Sequence, residues 1–386
     1  MKIETFNIRS NNFGFLRLLF AVMVILSHSP ELIDGDRSRE LLTKAFGTLS
    51  FGELGVDGFF LISGYLIAKS FEESRSLYEY VAKRILRIYP GYLCAFLLCI
   101  LIAHPLAGGA LDLYSGIGLL KEVVLLQSPS IPGVFIGNPY PALNGSMWTI
   151  AYEFRCYLLV LGCGVIGILS RRHLFLLLVT AAILLMHPQQ VANHIHFWRY
   201  WRLAPYIGNL SDDVRFIAIF GVGSLFYLYR DWVRYTRCRA LAAFAALIIL
   251  MNIKSAAETA VAILGGYILF WFSFNVKSRL LANVGRTVDL SYGVYLYAWP
   301  VQSLLVWYFP GISPWTVFVE STLICSIIAF GSWQLIEKPF LRLKPSFSKS
   351  PDTHDAAAPK LLPAPGVTIV ATENTGVARS TPIRDL

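Results

Sequence analysis

Long apolar runs separated by short polar stretches fill most of this chain. Ten runs can be bounded, at about residues 13–30, 52–71, 88–104, 146–169, 174–187, 214–229, 240–253, 257–274, 288–309 and 315–336. A helix needs about 20 mostly apolar residues to cross the hydrocarbon core of a bilayer, and the fifth and seventh runs fit that length least well. The pattern predicts an all-α, polytopic membrane protein of about ten transmembrane helices. The first run matters most, because between Asn12 and Ser29 it carries one arginine near its start and one histidine near its end.

The polar stretches alternate in charge. With the N-terminus inside, the inside loops are 69–87, 171–172, 230–239, 277–286 and 338–349, with Lys2 and Arg9 ahead of them. These hold roughly twenty Lys and Arg against about eight outside, the bias expected of cytoplasmic loops. Both termini are therefore expected in the cytoplasm. Residues 1–345 read as one membrane-embedded domain. Residues 346–386, rich in Pro, Ala, Thr and Ser without helical periodicity, read as a disordered cytoplasmic tail. Of the outer pieces, 105–145 is rich in Gly, Pro and Ser and reads as a re-entrant or capping segment. Residues 188–213 contain HIHFWRYWRLAPY, which reads as an interfacial aromatic belt in preference to a sugar-stacking platform.

Composition supports the membrane class and removes one competitor. Hydrophobic residues make up 55% of the chain and charged ones 15%, with a mean hydropathy of +0.57. Soluble domains carry about 25% charged residues. A net charge of +9 invites a nucleic-acid reading, but the basic residues sit in the loops between apolar runs, so no nucleic-acid partner is expected. No basic start followed by a short apolar run and a small-residue site opens the chain, so no cleavable signal peptide is expected. The six cysteines form no disulfide or zinc pattern. His194 and His196 have no third ligand in view, so no metal site is expected.

The chemistry is carried by ionisable residues inside the apolar runs, which are costly there and read as functional by default. Arg17 and His28 are eleven positions apart. On a helix they lie within about 20° of one face and roughly 16 Å apart along it. With the N-terminus inside, Arg17 is near the cytoplasm and His28 near the outer face. The second run returns inward, so its acids Glu53 and Asp57, one turn apart, are on the outer side. The fourth run places Glu153 and Arg155 about two turns down from outside. His28, Asp57 and Glu153 thus share the outer half of the membrane, and a histidine with a nearby carboxylate is what a general base requires. On the opposite side, YVAKRILRIYPGYL sets Arg84 and Arg87 on one helical face with Lys83 beside them. With Arg17 they make a cationic mouth, and paired guanidinium groups suit phosphates. A phosphorylated cytosolic donor of an activated group fits this arrangement, and coenzyme A, with phosphates at one end and a thioester on a long thin arm, has the right shape.

The same residues carry a family resemblance. The Arg17-to-His28 spacing, GVDGFFLISGYLI (55–67), the Arg84–Arg87 pair in KRILRIYP, SMWTIAYEF (146–154), DLSYGVYLYAWPV (289–301) and IEKPF (336–340) occur in order. Over about residues 10–345 the chain resembles the acyltransferase-3 family of integral membrane O-acyltransferases, the type that O-acetylates bacterial surface polysaccharides. The resemblance implies ten core helices and an acyl-CoA donor, usually acetyl-CoA. It also implies importance for Arg17, His28, Arg84, Arg87 and Glu153, and a multi-pass place in a bacterial inner (cytoplasmic) membrane. One motif departs: many relatives read Tyr-Leu-x-His-x-Pro where this chain has Tyr295-Leu296-Tyr297-Ala298-Trp299-Pro300.

The expected function is O-acyl transfer from acyl-CoA to a hydroxyl of a surface or exported polysaccharide or glycolipid, such as a lipid-linked oligosaccharide. His28 is expected to act as general base, oriented by Glu153 or Asp57. Arg17, Arg84 and Arg87 are expected to bind the donor, with Ser63, Tyr65, Ser291 and Tyr292 along the path. Two rivals share these residues: a secondary transporter, and an acyltransferase for a non-glycan acceptor such as a macrolide or a peptide.

Overall fold

The computed structural model describes residues 11–109, 116–192 and 208–343. His194, His196 and the expected tail at 346–386 lie outside the described residues. The principal helices are α1 (Phe13–Asp34), α2 (Phe51–Glu73), α3 (Leu77–Leu106), α4 (Gly116–Val124) and α5 (Trp148–Val165). They are followed by α6 (Arg172–Ala192), α7 (Leu210–Leu228), α8 (Arg237–Leu250), α9 (Ala257–Asn275), α10 (Ser291–Tyr308) and α11 (Pro314–Arg342). There is no strand among the described residues. The protein is all-helical, and α1, α2, α3, α9 and α11 are long and apolar enough to cross a membrane.

Helix ends follow local chemistry, and several run further than the apolar pattern indicates. α1 continues through Pro30 to Asp34 and stops at Gly35, whose φ of 78° suits a residue without a Cβ. That extension carries Glu31 onto the helix. α3 begins at Leu77 rather than near 88, with the Ser76 side chain accepting from the Glu79 amide, so Arg84 and Arg87 lie within a helix. α11 continues past 336 to Arg342. α2 starts on a reciprocal cap, in which Ser50 accepts from the Glu53 amide while Glu53 accepts from the Ser50 amide. Glu53 is thereby accounted for as a helix-start residue.

α2 is the most buried of the five long helices, packed between α1 and α7. Its contact with α7 is a backbone-to-backbone approach. A Cβ on Gly64 would strike the Phe220 carbonyl, and one on Gly223 would strike the Leu61 carbonyl. The close fit lets the Ser224 hydroxyl donate across the seam to the Gly64 carbonyl at 3.0 Å. Small residues at such seams are how helices associate where no water drives them together. α1 packs in turn on α2, α10 and α11.

The segment expected to cap the structure does so in its described part. Val134, Phe135 and Leu143 bury against Cys99, Ala103 and Ala107 at the end of α3, with Leu304 and Trp307 of α10 beside them. Phe135 has a φ of 50°, unusual for a side chain of this size. Its ring is fully buried 5.9 Å from that of Trp307, and its amide donates to the Ala107 carbonyl.

Gly64→Val and Gly223→Val are each expected to lower stability by about 1–3 kcal/mol through overpacking. The check is the thermal unfolding midpoint in detergent. Gly331→Val, where nothing lies within 4 Å of the added carbon, should leave the midpoint unchanged.

Candidate active site

Among the described residues, two neighbouring cavities of the helical bundle hold most of the ionisable residues singled out from the sequence. The first, of about 380 Å³, is lined by Arg17 of α1, Arg84 and Arg87 of α3, Glu153 of α5, and Asp289, Ser291 and Tyr292 at the start of α10. Arg17 and Arg87 both reach one oxygen of Asp289, Nη2 to Oδ2, at 3.1 and 2.8 Å. The other Asp289 oxygen accepts from the Ser291 hydroxyl at 2.6 Å and the Ser291 amide at 3.3 Å. Asp289, one residue ahead of the N-cap Leu290, therefore holds Ser291 at the start of α10 and anchors two guanidiniums at once.

Arg84 is held differently. Its Nη2 donates to the Ser70 hydroxyl at 3.0 Å, and its guanidinium faces the rings of Tyr80 and Tyr157 at 5.6 and 5.8 Å. Among the described residues it makes no ion pair. Glu153 Oε1 accepts from the Ser63 and Tyr157 hydroxyls, each at 2.5 Å. Three guanidiniums thus face two carboxylates in this cavity, which leaves it positive and suited to an anion. Of the path residues expected from sequence, Ser63, Ser291 and Tyr292 line it. Tyr65 does not: it packs among Phe13, Tyr227, Phe270 and Phe274.

The second cavity, of about 290 Å³, holds His28, Glu31 and Arg37. His28 Nδ1 lies 2.9 Å from Glu31 Oε2, and Arg37 Nε donates to Glu31 Oε1 at 2.6 Å. Glu31 is 2% exposed, so it is a buried carboxylate shared between a histidine and an arginine. A carboxylate on Nδ1 favours the tautomer with its proton there and leaves Nε2 as the free nitrogen. The Trp299 ring meets the imidazole edge to face at 5.0 Å, and the indole N–H donates to the Ala142 carbonyl at 3.2 Å.

The carboxylate beside His28 is thus Glu31, not Glu153 or Asp57. Glu153 lies in the arginine cavity. Asp57 is fully buried and lines neither cavity; its Oδ1 is 2.5 Å from Arg215 Nη2, and Arg215 Nε donates to Glu258 at 3.1 Å. The reason is local. Residues three apart on a helix are neighbours, and α1 runs on past Pro30, so Glu31 reaches His28 without crossing to another helix. Arg215, which falls within the sixth apolar run, needs an anion of its own and takes Asp57.

Gln302 was also not visible from the pattern. It is fully buried on α10, and its Nε2 donates to the Ile25 carbonyl at 2.8 Å and to the Ser29 hydroxyl at 2.9 Å. It thereby fixes the turn of α1 that carries His28. The available signals were a glutamate three residues after His28, an Asp-x-Ser at a helix start for Asp289, and a glutamine inside an apolar run. Ala298, where many relatives carry histidine, is fully buried in the apolar core and offers no polar group. Among the described residues no cluster of His, Cys, Asp and Glu side chains could hold a metal ion.

Comparison with known proteins agrees with this arrangement of motifs. The sequence model of one family, described as an acyltransferase domain and numbered the third of its type, matches residues 11–336. An O-acetyl transferase of Shigella phage Sf6 is 29% identical over 363 residues, covering 88% of this chain and 99% of the phage protein. Nodulation protein 10 of Rhizobium leguminosarum bv. viciae is 27% identical over 364 residues, covering 87% of this chain and 94% of that protein. Acyltransferase MdmB of Streptomyces mycarofaciens is 32% identical over 117 residues, covering 28% of this chain and 27% of its own. No solved structure matches the chain.

Asp289→Asn is expected to destabilise the fold by on the order of 3 kcal/mol, because it leaves two guanidiniums without their shared anion. Thermal unfolding in detergent measures this. Asp213→Asn provides a comparison, since it removes the ion-pair partner of a single guanidinium, Arg155, and should cost less.

Proposed function

This chain belongs to the acyltransferase-3 family and is a membrane O-acyltransferase, and from that premise we propose that it carries an acyl group, acetyl by preference, from cytosolic acyl-CoA to a hydroxyl of a surface or exported glycan. An enzyme of this class is not the transporter weighed from the sequence. The observation that carries the proposal is the division of chemistry between two neighbouring cavities, one cationic and one holding a carboxylate-bound histidine.

In this reading the arginine cavity is the donor site. Arg17, Arg84 and Arg87 hold the phosphates of the acyl-CoA and steady its arm, since guanidinium groups offer parallel donors to phosphate oxygens. Arg84 is the most available of the three, because Arg17 and Arg87 already share Asp289. Glu153, bound by Ser63 and Tyr157, shapes the wall of this cavity.

His28 is the general base. Glu31 takes the Nδ1 proton in a hydrogen bond, so Nε2 is free to accept the proton of an acceptor hydroxyl. The hydroxyl oxygen attacks the thioester carbonyl carbon, forming the C–O bond of the ester. The C–S bond then breaks, and the coenzyme A thiolate leaves with the proton returned from the imidazolium. Glu31 stabilises that imidazolium, and Arg37 holds Glu31 in place. The outer position of the acceptor rests on the charge pattern of the loops, with ten membrane crossings and both termini in the cytoplasm of a bacterial inner membrane.

The test is mass spectrometry of surface and exported glycans from a deletion strain, and from that strain restored with wild type, His28→Ala or Glu31→Gln at equal membrane levels. An acyl mass increment is expected with wild type and none with His28→Ala. Glu31→Gln should lose about 10²–10⁴ in rate, the range of general-base assistance. Equal increments from wild type and His28→Ala would remove the base assignment, and no glycan change in any strain would remove the glycan acceptor. The orientation is checked separately at Cys238, a free and exposed thiol in the first turn of α8, within the 230–239 stretch expected inside. A membrane-impermeant thiol reagent should label it only after the cells are permeabilised.

A further inference from the structure

The two cavities share two lining residues, Val56 of α2 and Tyr295 of α10. Tyr295 is the better defined. Its ring is buried, 5.7 Å from that of Phe59, which lines the arginine cavity. Its hydroxyl donates to the Ser146 carbonyl at 2.7 Å and lies 2.6 Å from the Thr149 hydroxyl. A carbonyl can only accept, so the phenol proton is committed to Ser146 and Thr149 must be the donor in the second bond. Ser146 lines the histidine cavity and Thr149 the arginine cavity. One phenol oxygen is therefore latched to both sides of the partition.

We propose that Tyr295 and Val56 form the aperture through which the acyl group passes from the donor cavity to His28, and that their bulk sets the length of acyl chain the enzyme transfers. This rests on the reading of acyl-CoA as donor. If the coenzyme stays with the arginines while the acceptor hydroxyl meets His28, the acyl carbon must cross the wall these two side chains make. Val56 lines both cavities, while the latched phenol cannot swing aside without losing two buried hydrogen bonds. A short acyl group passes a gap that a longer one does not. Val56 and Tyr295 are specificity residues in this account and take no part in bond making.

The experiment uses membrane vesicles from the producing strain, in a deletion background, supplied with labelled acetyl-, butyryl- and hexanoyl-CoA. Label recovered as ester released by mild alkali reports transfer whatever the acceptor. Val56→Ala is expected to raise the butyryl-to-acetyl ratio of kcat/KM, and Val56→Leu to lower it, each by roughly tenfold or more, the usual effect of one or two methyl groups in a fitted pocket. Tyr295→Phe, which keeps the ring but frees it from Ser146 and Thr149, should raise the ratio as Val56→Ala does. A loss of fold or a general slowing would reduce transfer of all three donors together and leave the ratio alone. Ratios unchanged in both Val56 variants would overturn the aperture while leaving the donor reading intact. Absence of transfer from every acyl-CoA by the wild type would instead overturn the donor reading, and the aperture with it.

Discussion

A guanidinium set among apolar helices needs an anion nearby, and in this protein one carboxylate serves two of them. Asp289 takes Arg17 from the first helix and Arg87 from the third on a single oxygen, while its other oxygen holds Ser291, where α10 begins. The start of α10, the first turns of α1 and the middle of α3 are tied at one point. Because two cations share one anion there, and Arg84 adds a third held by a hydroxyl and aromatic rings, the cavity keeps positive charge in reserve.

The same constraint sorts the carboxylates on the other side. Asp57 lies deep in α2 and is taken by Arg215, which is also taken by Glu258. Glu53 is occupied with the start of α2. That leaves Glu31, on the same helix as His28 and already braced by Arg37, to set the imidazole. The brace has a further support, since Gln302 reaches from α10 to the Ile25 carbonyl and Ser29 hydroxyl in the turn that presents His28. α10 thus meets α1 at two levels, through Asp289 near Arg17 and through Gln302 near His28. Between those levels it contributes Tyr295 to the partition of the two cavities.

The separation of the cavities depends on how closely the helices approach. Glycines 64 and 223 bring α2 and α7 into backbone contact, which fixes where α2 lies. Val56 and Ser63 are on α2, and they face the partition and the arginine cavity.

Much of this was legible in the chain. Periods of apolar residues gave an all-helical membrane protein, since a run long enough to cross hydrocarbon must satisfy its own backbone hydrogen bonds. Ionisable residues within such runs marked Arg17, His28, Arg84, Arg87 and Glu153 as candidates, because burying charge is costly and is not kept without use or pairing. What the chain could not reveal was the pairing. Asp57 and Glu153 had the right depth to serve His28 and were taken by Arg215 in one case and by Ser63 and Tyr157 in the other. Glu31 stood just beyond an apolar run that the helix in fact outlasts. Depth along a helix follows from counting residues at a fixed rise, and sequence alone supplies it. Which carboxylate meets which cation depends on the rotation and spacing of neighbouring helices, and only the packed tertiary structure decides it.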